Sequence, residues 1–67
     1  MPLSWNDADA IAERLHSRFP DIDPLTIRFP DLQRWIGEID DFVDDPKPTS
    51  PYLLEHVQRS WYEAYRR

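Results

Sequence analysis

Apolar residues recur at Ala8, Ile11, Ala12, Leu15 and Phe19, at steps of three and four. That is the stripe of one helix face, and it predicts a helix over residues 7–19. Asn6 precedes it as the expected N-cap, and Asp7 and Asp9 lie where the helix dipole favours negative charge. Pro20 closes the helix. Asp21-Ile22-Asp23-Pro24 is turn chemistry, with Asp23 able to cap a short turn and Pro24 presetting its dihedral. The β-branched and aromatic run Leu25 to Phe29 is compatible with a short strand, for which Leu3-Ser4-Trp5 is the candidate partner.

A second stripe, Leu32, Trp35, Ile36 and Ile39, predicts a helix that opens on Pro30, whose missing N–H costs nothing there, and runs to about Asp41. Asp31, Arg34, Glu38 and Asp41 fall on its opposite face. The loop Phe42 to Thr49 follows, with Pro46, Pro48 and Pro51 stiffening the connection. Ser50 then caps a third helix, which Pro51 begins and in which Leu53, Leu54, Val57, Trp61, Ala64 and Tyr65 form one broad face. The pattern predicts a mainly α fold: a compact three-helix single domain over residues 1–67, with at most a minimal two-stranded pairing and an element order compatible with a helix-turn-helix or reduced winged-helix shape.

Charge changes this picture. Between Phe29 and Pro46 stand six acids (Asp31, Glu38, Asp40, Asp41, Asp44, Asp45) and one base, Arg34. The local charge of −5 equals the formal net charge of the whole 67-residue chain, so the acidity belongs to this segment. Glu38, Asp40 and Asp41 at the expected C-terminal end of the helix oppose its dipole, an electrostatic cost that points towards function. A net acidic chain is a poor match for nucleic acid or an anionic membrane, which call for clustered Lys and Arg. It suits a basic partner or a cation. With no Cys, the chain alone offers no disulfide, thiol chemistry or Cys-ligated cluster. The N-terminus lacks the basic and apolar regions of a signal peptide, and no apolar run approaches the ~20 residues of a membrane span. The expectation is a cytoplasmic monomer. Three Trp, three Tyr and three Phe supply the area a small core needs. Trp5, Phe29, Trp35, Phe42 and Trp61 are accordingly expected in the core.

Catalytic chemistry finds no footing. The only glycine is Gly37, so no Gly-rich phosphate loop exists, and none of the serines stands in a nucleophile-elbow context. The acids all read as exposed, without the buried partner that general acid–base work needs. His16 and His56 lack the spacing of a metal helix and read as boundary or surface residues. The chain is expected to be no enzyme. Carboxylates are hard oxygen ligands, and Asp40, Asp41, Asp44 and Asp45 lie within six positions of one another, so several could converge on one divalent ion. They do not match an EF-hand loop. Three readings of the acidic segment stand: a solvated face, a docking face for a basic protein, or a weak metal site. Arg28 is a candidate tether for the acidic loop through a bidentate bond to a carboxylate.

Leu3-x-Trp5, Asp21-x-Asp23-Pro24, Arg28-Phe29-x-Asp31, Trp35-Ile36 and Asp41-Phe42-x-Asp44-Asp45-Pro46 together resemble the IscX family, small accessory proteins of bacterial iron–sulfur cluster assembly. The resemblance runs without a shift of spacing to Trp61. It implies a winged-helix-like domain whose acidic face binds Fe²⁺ weakly, holds no tight cofactor, and docks on a basic surface of the cysteine desulfurase, in competition with the bacterial frataxin homologue. It implies an adaptor and regulator of that enzyme. The rival readings are an iron chaperone delivering Fe²⁺ and an acidic module for an unrelated basic partner. Carried onto this sequence, the docking residues are Asp31, Glu38, Asp40, Asp41, Asp44 and Asp45, and the Fe²⁺ ligands Asp40, Asp41, Asp44 and Asp45. Two positions depart from the family's pattern: Pro30 replaces a common Thr, and Val43 replaces a common acid.

Overall fold

The computed structural model describes residues 2–45, 47, 48 and 50–67. Three helices, α1 (Ala8–Arg18), α2 (Phe29–Gly37) and α3 (Pro51–Arg66), carry the fold, with one turn of 3-10 helix at Pro24–Thr26 between α1 and α2. The described residues contain no named strand, only a single parallel bridge between Leu3 and Phe42. The three-helix, mainly α architecture is the one the periodicity predicts.

α1 buries Ala8, Ile11, Ala12 and Leu15, the stripe read from its spacing. It packs chiefly along α3, the central element, which buries Leu54, Val57, Trp61 and Ala64. α2 adds Leu32 and Ile36, both fully buried. The core is closed at one end by Trp5 against Phe42, ring centroids 5.3 Å apart and nearly perpendicular. At another place Phe19, Trp35 and Trp61 form a contiguous group, with Phe19–Trp35 at 4.6 Å and Trp35–Trp61 at 6.3 Å. Trp61 is completely buried, whereas Phe29 and Trp35 are only partly so.

The helix ends show local chemistry at work. Asp23 accepts from the Leu25 amide at 3.0 Å and Ser50 Oγ from the Tyr52 amide at 3.3 Å, as expected of capping side chains. α1 differs. Its N-cap is Asp7 rather than Asn6, and the Asp7 carboxylate turns back to accept from the Ser4 amide at 3.0 Å. The start of α1 is thereby tied to the N-terminal segment and not capped by a side chain.

Three further expectations are corrected. Leu25 to Phe29 forms no strand. Pro24, with its fixed φ, and the Asp23 cap draw Leu25 and Thr26 into the 3-10 turn instead, and α2 already begins at Phe29. Leu3 to Trp5 pairs elsewhere: the Leu3 amide donates to Asp41 O at 2.6 Å, and the Val43 amide donates to Leu3 O at 2.9 Å. Finally, α2 starts at Phe29, with Pro30 second, and stops at Gly37, four residues short of Asp41. Gly is a weak helix former. Continuing the helix would also carry Phe42, six residues past Ile36, about 120° round from the buried face. Ending early lets turns at Ile39 and Phe42, with amides bonded to Ile36 O and Ile39 O, bring both side chains inward.

Candidate functional site

The six acids of the charged segment fall in three places. Asp31 lies in the first turn of α2, and Glu38 caps its far end. Seven residues of helix set them about 10 Å apart along the axis. Asp40 and Asp41 occupy the turn beyond, and Asp44 and Asp45 the loop after the Leu3–Phe42 bridge. Because α2 ends at Gly37, Asp40 and Asp41 do not crowd its C-terminus, and only Glu38 sits against the dipole.

Half of this set is paired with arginines. Asp41 meets Arg14 at 2.6 Å, Glu38 meets Arg18 at 3.6 Å, and Asp31 meets Arg34 within its own helix at 3.3 Å. Arg14 and Arg18 stand four apart on α1, so one helix face presents both cations to the turn that follows α2. Arg28, the expected tether, makes no ion pair among the described residues; it is the exposed N-cap of α2. The two arginines of α1 do that work. Their i, i+4 spacing was visible in the sequence, but nothing local said which carboxylates they would meet.

Asp40, Asp44 and Asp45 are exposed and have no basic partner among the described residues. The last two are nonetheless well positioned. Asp44 accepts from the Trp5 amide at 3.4 Å and from the Asp45 amide at 2.8 Å, and the Asp45 carboxylate accepts from the Lys47 amide at 2.9 Å. The Trp5 indole N–H donates to Asp45 O at 2.7 Å. Trp5, expected only as a core ring, is thus also the clamp on the acidic loop. Val43, between the two acidic pairs, is 70% exposed.

These residues do not converge as a metal cage. Among the described residues, no group of three or more His, Asp or Glu side chains is placed to hold one ion. The donors are chemically right for Fe²⁺, yet Asp41 is engaged by Arg14 and the others are spread along a turn and a loop. His16 is half-buried, with its Nδ1 enclosed and unpartnered, and His56 is exposed. No helix among the described residues is long and apolar enough to cross a membrane.

The site is thus a set of exposed, partly paired carboxylates spread over one side of a small helical scaffold. The match to known proteins gives its class: the family model for iron–sulphur cluster assembly covers residues 3–66. The chain belongs to that family, the IscX family whose motifs it shares. Among curated proteins it is 40% identical, over 63 residues, to an uncharacterized protein of Pseudomonas aeruginosa, covering 94% of this chain and 96% of the relative.

Proposed function

We propose that this protein is a non-enzymatic adaptor of iron–sulfur cluster assembly that docks its acidic segment on a basic surface of the cysteine desulfurase and modulates that enzyme. The observation that carries the reading is the division of charge. Arg14, Arg18 and Arg34 pair with Asp41, Glu38 and Asp31, while Asp40, Asp44 and Asp45 are exposed and make no ion pair among the described residues, Asp40 lying beside the hollow that Arg14 and Arg18 line. Held by Trp5 and the Leu3–Phe42 bridge, the loop keeps these unpaired charges in place before a partner arrives. Such preorganisation lowers the ordering cost of association, and uncompensated charge steers a basic partner.

Iron enters as cargo or effector, not as a resident centre. Carboxylates that, among the described residues, do not converge in threes are suited to hold Fe²⁺ only weakly. That favours docking over iron delivery as the main task.

Electrostatic docking is read from its salt dependence. The Debye length falls from ~10 Å at 0.1 M salt to ~3 Å at 1 M. Affinity for a cysteine desulfurase is expected to drop steeply between ~0.05 and ~0.5 M salt, mostly through slower association. Asp40→Asn, at a side chain that makes no ion pair among the described residues, should weaken binding at low salt and flatten the dependence. Affinity that ignores both changes would rule the mechanism out.

A further inference from the structure

The surface beside the acidic loop is not flat. A hollow of about 460 Å³ opens between the N-terminal segment and the first turns of α1 and α3, lined by Trp5, Asn6, Asp9, Tyr52, Leu53 and His56. Through the shared residues Trp5, Asn6 and Leu53 it continues into a second hollow walled by Asp44, Asp45 and Lys47. In the other direction, Tyr52 and His56 lead on to Glu55 and Arg59 along α3. The three hollows adjoin along one stretch of surface, a shallow groove from the acidic loop to the outer face of α3.

Two observations say what would fill it. Tyr52 is 75% exposed, the most exposed of the large hydrophobic side chains among the described residues, and it lines two of the three hollows, beside Asp9 and Glu55. The packing of the three helices does not need it there. The groove's charge is also one-sided: Asp9, Asp44, Asp45 and Glu55 stand along it against Lys47 and Arg59. An aromatic face among carboxylates is suited to a guanidinium or ammonium, which stacks on the ring while its donors reach the acids. An elongated groove takes an extended chain.

We propose that this groove receives an extended, arginine- or lysine-bearing segment of the same desulfurase, with a cationic side chain over Tyr52. Docking then has two parts, a steering acidic loop and an aromatic anchor on α3. The inference rests on the docking reading above and extends its footprint beyond the acidic segment.

The test compares wild-type protein, Tyr52→Ser and Asp40→Lys for affinity to a cysteine desulfurase at low salt and at ~0.5 M salt, with the Trp5 indole N–H resonance as a local reporter. Tyr52→Ser should leave the thermal midpoint unchanged and weaken binding at least ~5-fold at both salts, the scale of a truncated anchor. The Trp5 signal, at the junction of loop and groove, should shift on binding. Asp40, outside the groove, should matter mainly at low salt. If Tyr52→Ser binds like wild type while Asp40→Lys loses affinity, the groove is empty in the complex and this inference fails, whatever the Trp5 signal does, with the docking reading intact. If wild type does not bind at low salt, both fall.

Discussion

Trp61 shows how much one residue decides in a chain of this size. It is fully buried and touches both Phe19 and Trp35, yet its indole N–H has no acceptor among the described residues. A buried unsatisfied donor costs about 1–3 kcal/mol. Truncation should therefore separate volume from polarity. Trp61→Ala is expected to lose ~3–5 kcal/mol in urea unfolding, as large aromatic deletions do. Trp61→Phe, which removes the stranded donor while keeping most of the ring, should lose less than ~1.5 kcal/mol by the same comparison. A loss for Trp61→Phe well above ~1.5 kcal/mol would contradict a stranded donor. That Trp61 belongs to the core was legible from its place in the α3 stripe. The missing acceptor was not, because hydrogen-bond satisfaction depends on neighbours brought together from α1, α2 and α3.

At the scale of elements, the periodic stripes were read correctly and the irregular joins were not. α1 and α3 lie within a residue of the expected bounds, since regular spacing and clear stops govern them. The end of α2 and the pairing of Leu3 were misplaced for one shared reason. Phe42 is needed both as a core ring against Trp5 and as the bridge partner of Leu3, and both demands are tertiary. The acidic residues could be listed from sequence, but their division into paired and unpaired could not. It is set by Arg14 and Arg18 on α1, distant in the chain from Asp41 and Glu38. This division has a consequence at the same scale. Both α1 pairs are at least one-third exposed, so their contribution to stability is small, under ~1 kcal/mol each. Arg14→Ala should thus shift the urea midpoint little while freeing Asp41 to add to the steering charge. Stopped-flow association with the desulfurase at low salt is expected to accelerate. Slower association would mean that Arg14 itself contacts the partner.

For the molecule as a whole, the small helical body, 27 × 24 × 17 Å, acts as a mount for a short length of charged chain. α3 organises the core, the Leu3–Phe42 bridge and the Trp5 indole fix the loop, and α1 neutralises part of the charge. Of the six acids of the charged segment, Asp40, Asp44 and Asp45 are left without an ion pair among the described residues, and these three are the proposed docking surface for the desulfurase. The most direct measurement is a backbone NMR titration with that enzyme, repeated on a variant with Asp40→Lys, Asp44→Asn and Asp45→Asn. Asparagine keeps one acceptor oxygen, enough for the Asp45 and Lys47 amides, and gives up only the longer 3.4 Å bond from the Trp5 amide to the second oxygen of Asp44. Resonances from Glu38 to Asp45 should broaden or shift in the wild type, and these changes should vanish in the variant. Unaltered perturbation of that segment in the neutralised protein, or perturbation confined to the opposite end of the molecule, would contradict the account.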